Sequence, residues 1–246
     1  MNITLTVDTY KGVDGSSLSS IRCNQIVQVY EMFELLGNKL LTYIDIQEEA
    51  QKQQLFGETN AKSAIRTFFP LLKKIGFVNY DDTFRANECF TELGILFVLA
   101  CRAINNVSDK TPHKDIVLER LVNIKQCAQK QGLVEMYLNK EYENHNMWVA
   151  LKLLKAFTII NWNYFLYALH CLEIGFSLDD AIEEIKKVKD QIDTITFVNE
   201  EGEKLPNTCY SYIRSFLEEA GIIKKVGSKE SALVNPSDKI FTIITL

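Results

Sequence analysis

The sequence predicts a mainly α chain with small β-hairpins, an α+β fold built from two copies of one unit with helices between them. Three observations carry that expectation. Apolar residues recur at helical spacing along most of the chain, almost without a break from Asp115 to Lys189. Only four prolines and eleven glycines punctuate the 246 residues. Two stretches 145 positions apart share one pattern: Leu71-Leu72-Lys73-Lys74-Ile75-Gly76-Phe77-Val78 and Phe216-Leu217-Glu218-Glu219-Ala220-Gly221-Ile222-Ile223. Each reads apolar pair, charged pair, apolar or small residue, glycine, apolar pair, which points to an internal duplication.

Met1–Tyr10 alternates as a strand, with Ile3, Leu5 and Val7 on one face. Gly12–Ser20 is rich in turn formers. A helix follows from about Ile21 to Leu36, striped by Ile26, Val29, Tyr30, Phe33 and Leu36 and stopped by Gly37-Asn38. Leu40–Ile44 reads as a short strand, and Asp45 with Glu48 as the capping box of a helix to about Gln53. Thr59 or Asn60 caps a longer helix to Lys74, which buries Ala61, Ala64, Ile65, Phe68, Leu72 and Ile75. Pro70 removes one backbone bond from it, and Gly76 closes it. Phe77–Tyr80, Asp81-Asp82 and Thr83–Asn87 read as a hairpin, and Thr91 opens a helix over about Glu92–Ile104.

The centre supports helices around Ile116–Ile124, Met147–Phe157, Trp162–Leu172 and Leu178–Lys189, with loops at Lys110–His113 and Asn139–Asn146. Pro206 sits at the start of a helix that buries Cys209, Ile213, Phe216, Leu217 and Ala220 and ends at Gly221. Ile222–Val226 is then a strand, Gly227–Glu230 begins a loop, and Lys239–Ile244 alternates as a closing strand.

Composition narrows the function classes. Hydrophobic residues at 47% and charged residues at 24% describe an ordinary globular chain. The six cysteines, Cys23, Cys89, Cys101, Cys127, Cys171 and Cys209, form no CxxC pair, so they read as reduced core thiols of a cytoplasmic protein. The start lacks a basic leader region and the longest apolar run, Gly94–Cys101, is far short of a bilayer span, so no membrane association is expected. A net charge of −5 makes any nucleic-acid role depend on local cations. His113, His145 and His170 have no ligand partner at helical spacing, and no phosphate loop or nucleophile elbow is visible. Glu184-Ile185-Lys186 with Asp179 and Asp180 has nuclease-like letters but lies on a charged amphipathic helix, where a solvated face explains it. Trp162, Phe165 and Leu169 share a core-facing stripe. No catalytic residue, metal site or cofactor is expected.

The repeated helix–glycine–hairpin unit resembles the winged-helix family of helix-turn-helix proteins, over about Ile21–Ile104 and again over about Trp162–Leu246. Phe90-Thr91-Glu92-Leu93-Gly94 is similar to the Thr-Glu-x-Gly turn that often follows the wing in that family. The resemblance implies an N-terminal winged-helix module at 1–108, a helical connector at 109–161 and a C-terminal module at 162–246. It also implies sequence-specific binding of double-stranded DNA, each module laying one helix in the major groove. The exposed set is Asn60, Lys62, Ser63, Arg66 and Thr67 in the first copy, and Asn207, Thr208, Ser211, Arg214 and Ser215 in the second. These are short polar residues with one arginine each, and an arginine paired to guanine is worth about 1–3 kcal/mol of discrimination. Lys73, Lys74 and Arg85 are placed for phosphates beside the first wing, and Lys224, Lys225, Lys229 and Lys239 beside the second. The settings implied are a transcription or replication regulator, or the recognition portion of a restriction endonuclease. The rival expectation is a winged-helix protein-interaction subunit, for example in chromosome organisation, with a protein partner or a second copy of the chain in place of DNA.

Overall fold

Gly76 and Gly221 end their helices in the same way. Both have positive φ, 68° and 67°. Gly76 N donates to Lys73 O and Phe77 N to Leu72 O, at 3.0 and 2.8 Å; Gly221 N donates to Glu218 O and Ile222 N to Leu217 O, at 2.9 and 3.0 Å. This is the Schellman arrangement, which satisfies two terminal carbonyls and needs a residue without Cβ at the left-handed position. The repeated pattern in the sequence is therefore a repeated helix end.

The computed structural model describes residues 3–7, 17–57, 60–205 and 208–244. In chain order the elements are β1 (Ile3–Thr6), α1 (Ser20–Leu36), β2 (Leu40–Leu41), α2 (Tyr43–Lys52), α3 (Ala61–Lys74), β3 (Phe84–Arg85), α4 (Glu92–Asn106) and α5 (Lys114–Leu138). They continue with α6 (Asn146–Phe157), β4 (Ile159–Asn161), α7 (Trp162–Glu173), α8 (Leu178–Val188), β5 (Ile195–Val198), α9 (Thr208–Glu219), β6 (Ile223–Lys225), β7 (Glu230–Leu233) and α10 (Ile240–Ile243). The fold is mainly helical with small sheets. The chain divides into two compact units, Ser16–Met136 and Met1–Gly15 with Tyr137–Leu246. No helix among the described residues is long and apolar enough to cross a membrane.

In the first unit, Ser19 caps α1 and Gly37 ends it. β2 is shorter than its apolar run, because Thr42 starts α2. Thr42 Oγ1 accepts from Asp45 N at 3.2 Å while Asp45 Oδ2 accepts from Thr42 N at 2.7 Å. The capping box is thus Thr42 with Asp45, three residues upstream of the expected one. Those bonds hold the Asp45 carboxyl below its usual range. Asn60 caps α3 through Ser63 N; Thr59 lies outside the described residues. Pro70 falls on the exposed side of α3.

The expected hairpin after Gly76 is looser than a ladder. Val78 bridges Phe90, and Asn79 N donates to Cys89 O. Phe84–Arg85 pairs instead with β2, Leu40 opposite Arg85 and Leu41 opposite Phe84. Residues 86–88 form a 3₁₀ turn, which interrupts any continuous pairing with Phe77–Tyr80. Thr91 then caps α4, its Oγ1 accepting from Gly94 N at 3.1 Å and donating to Gly76 O at 2.6 Å. A Cβ on Gly94 would lie 1.9 Å from Phe77 O, so only glycine lets α4 press against the helix end beneath it. The Thr-Glu-x-Gly letters are a docking of α4 onto the Gly76 turn.

In the second unit, α6 leads through the three-residue β4 into α7, and Asn161 caps α7 by accepting from Asn163 N and Tyr164 N. β4 was not expected from the sequence. It pairs antiparallel with β7, which pairs in turn with β6, giving the strand order β4-β7-β6. The closing strand is therefore Glu230–Leu233, not Lys239–Ile244. The latter segment contains the short α10: Ile240, Phe241 and Ile244 are buried, whereas Thr242 and Ile243 are exposed. Burial at i, i+1 and i+4 is helical, and Asp238 Oδ1 receives the Ile240 N–H at the start of this turn. Between α7 and α9 the chain inserts α8 and β5, and β5 pairs parallel with β1, Ile3 opposite Ile195. His170 Nδ1 lies 2.9 Å from Thr6 O.

Each unit has a helix, a short strand and a helix, and later a helix ending at a left-handed glycine and a return strand; the second unit adds α8 and β5 before its glycine-ended helix and β6 before its return strand. In both, the short strand after the first helix pairs with the return strand, β2 with β3 and β4 with β7.

Candidate functional site

A cleft with polar side chains lies in the second unit, where α9 meets the β6–β7 turn. It has a volume of about 310 Å³ and is lined by Trp162, Tyr210, Ser211, Arg214, Ser215, Glu218, Lys225, Ser228 and Lys229. Tyr210, Arg214 and Glu218 are one turn apart along α9, with Ser211 and Ser215 beside them, so one helical face supplies five of the nine residues. The turn supplies Lys225, Ser228 and Lys229.

Arg214 holds the two sides together. It is 9% exposed. Nη1 donates to Ser228 O at 2.8 Å, and Nη2 to Gly227 O at 2.8 Å and Glu230 O at 2.6 Å. Glu230 O also accepts from Val226 N and Gly227 N, which closes the turn. Glu218 Oε1 stands 3.9 Å from Arg214 Nε. The guanidinium is spent on the carbonyls of the turn, so Arg214 is a structural clamp and not the exposed base-reading residue the sequence suggested. Burying an arginine is costly unless its charge and donors are met; three carbonyls engage Nη1 and Nη2 here, while the buried Nε makes no hydrogen bond and has only the Glu218 carboxylate near it.

Trp162 and Tyr210 form the floor. Their rings are 4.8 Å apart, and Tyr210 also meets Phe165 at 5.8 Å. Trp162 N donates to Lys229 O at 3.1 Å, and the Tyr210 hydroxyl sits between the carbonyls of Ile160 and Lys229 at 3.3 and 3.4 Å. Burial pushes the Tyr210 hydroxyl up to about 12, against the opposing pull of Arg214. The expected core stripe of Trp162, Phe165 and Leu169 is buried.

The other residues named from the second copy divide. Ser211, Lys224, Lys225, Lys229 and Lys239 are exposed, and Ser215 is half-buried. Lys224 and Lys225 are neighbours on β6, and only Lys225 lines the cleft. Asn207 lies outside the described residues, as does the side chain of Thr208.

In the first unit the ridge of α3 does face outward. Asn60, Ser63, Arg66 and Lys73 are exposed, and Lys62, Thr67 and Lys74 are half-buried. Several are already engaged. Arg66 Nε donates to Gln47 Oε1 at 2.9 Å, and Lys62 Nζ lies 3.8 Å from Glu48 Oε1, so both tie α3 to α2. Thr67 Oγ1 donates to Ser63 O. Lys73 Nζ donates to Tyr80 O at 2.6 Å and lies 4.5 Å above the Tyr80 ring, which stacks on Tyr43 at 5.7 Å. Arg85 is exposed on β3. The surface beside Lys73 carries Asp81, Asp82 and Ile44, the last 64% exposed. The tip of this hairpin is thus acidic and partly apolar, unlike the basic turn of the second unit.

Among the described residues no group of three or more histidine, cysteine, aspartate or glutamate side chains is arranged to hold a metal ion. Glu183 and Glu184 pair with Lys186 and Lys187 on the exposed face of α8, Asp179 pairs with Lys152, and Asp180 bonds the helix cap Ser177, whose Oγ accepts from Asp180 N and donates to Asp180 Oδ2. Cys23, Cys89, Cys101, Cys127 and Cys171 form no disulfide; Cys23, Cys89, Cys101 and Cys171 are buried, but Cys127 is exposed and so departs from the core-thiol expectation. No family model matches the chain, nor does any curated protein or solved structure.

Proposed function

We propose that the chain binds double-stranded DNA through two winged-helix modules, one in each unit, and that it serves a recognition role without chemistry of its own. One observation carries this reading: in each unit a short strand after a helix pairs antiparallel with a strand that follows a glycine-ended helix, although the second unit adds α8 and β5 before that helix and β6 after it. In this reading α3 and α9 are the groove-facing helices. Asn60, Ser63, Arg66 and Thr67 supply the polar ridge of the first, and Ser211 and Ser215 that of the second. The two ridges differ in residues, which suits a target without dyad symmetry. The test is selection from random-sequence duplexes followed by a mobility shift at two salt concentrations. An enriched motif bound more weakly at high salt supports the reading; no enrichment rejects it.

A second reading is favoured by the tip of the first unit. Exposed Ile44 beside Asp81 and Asp82 is a poor surface for phosphates and a good one for a protein with basic and apolar groups. In that case the first unit binds a protein, and replacing Asp81 and Asp82 with lysine abolishes capture of that partner without weakening DNA binding.

A further inference from the structure

We infer that the cleft between α9 and the β6–β7 turn is a seat for one phosphodiester group, and that Arg214 is the positioning residue that shapes it. The inference rests on the DNA reading only for the polymer that brings the phosphodiester, not for the seat.

The lining is almost wholly donor chemistry. Ser211, Ser215 and Ser228 supply hydroxyls, and Lys225 and Lys229 supply ammonium groups. These come from both walls, so an anion between them bridges helix and turn. The cleft, about 310 Å³, is large enough for a phosphate group with some of its water. Arg214 contributes in two ways. Its charge stays beside the cleft, and its three carbonyl bonds fix the turn that carries Ser228 and Lys229. A seat assembled before the ligand arrives loses less side-chain freedom on binding. Glu218 is the one carboxylate in the lining. Against Arg214, Lys225 and Lys229 it leaves a net positive field for an anion. Lys224 makes a natural control, because it is as exposed as its neighbour Lys225 but lies outside the cleft.

Two measurements test this. In the first, the 246-residue chain is titrated onto a labelled random-sequence duplex of about 20 base pairs between about 50 and 200 mM salt. The K225Q/K229Q variant is expected to lower the slope of log affinity against log salt by about 1, since the one phosphate neutralised contributes about 0.9. K224Q keeps the wild-type slope. R214K keeps the charge but loses the fork, and its slope moves toward that of K225Q/K229Q; a purely structural arginine would lower the melting temperature and leave the slope alone. In the second, tryptophan fluorescence in a W148F background, where Trp162 is the one emitter, follows titration with dimethyl phosphate, with inorganic phosphate at matched ionic strength for comparison. Wild type responds to both, and K225Q/K229Q responds to neither.

A wild-type salt slope in K225Q/K229Q overturns the seat, as does a dimethyl phosphate response equal in wild type and K225Q/K229Q. If the wild-type chain ignores duplex DNA but Trp162 still reports dimethyl phosphate in a Lys225- and Lys229-dependent way, the duplex reading falls and the seat stands.

Discussion

Arg66 and Arg214 are the single arginines of α3 and α9, three residues out of register in the repeat, and the structure gives their removal different consequences. Arg214→Met keeps the aliphatic stem and deletes three bonds of 2.6–2.8 Å to Ser228 O, Gly227 O and Glu230 O. A hydrogen bond to a charged group contributes about 1.5–3 kcal/mol. The three share one guanidinium and water reaches part of the turn, so the expected cost is about 2–4 kcal/mol, well below their sum. Arg66→Met deletes one bond of 2.9 Å on an exposed helix face and should cost about 1 kcal/mol or less. The assay is built into the sequence. The two tryptophans, Trp148 and Trp162, both belong to the second unit. Urea unfolding followed by tryptophan fluorescence therefore reads that unit, while far-ultraviolet circular dichroism reads both. With a denaturant slope of about 2 kcal/mol/M, R214M lowers the tryptophan midpoint by about 1–2 M, and R66M leaves it in place. A midpoint for R214M within about 0.3 M of wild type would refute the clamp.

Three further outcomes are expected. Gly94→Ala forces a Cβ to within 1.9 Å of Phe77 O, backbone against backbone, so the first unit should lose about 1–3 kcal/mol or more in denaturation followed by circular dichroism; a neutral result means α4 does not sit where it is placed. Asp45 has a lowered pKa because it accepts from Thr42, so its contribution is full above the unfolded value near 3.8 and fades as pH falls through the lower folded value. Asp45→Asn should destabilise the first unit at neutral pH and narrow its gap to wild type in acid; a gap that widens in acid contradicts the capping box. Thiol labelling of the native chain should modify Cys127 first, while Cys89 and Cys171, whose thiols burial raises to about 12 and about 11, react only on unfolding; rapid native labelling of Cys89 would contradict its burial.

By itself the sequence determined most of what is local. The stripes of α1, α3, α4, α6, α7 and α8, the caps at Asn60 and Thr91 and the twin helix ends at Gly76 and Gly221 depend on residues within a few positions of each other, and periodicity and cap chemistry record such contacts directly. Only the tertiary structure decided what is paired across distance. β4 is three residues long and exists because β7 lies beside it, some seventy residues on. β1 is a strand against β5, nearly two hundred residues away. Lys239–Ile244 alternates like a strand but has no strand to join, and its buried residues instead fit a helical turn. The same distinction governs the site. An arginine on an amphipathic helix faces water by default, and Arg66 does so. Arg214 turns inward because a turn thirteen to sixteen residues later aims three carbonyls at it, a geometry no local pattern in the chain encodes.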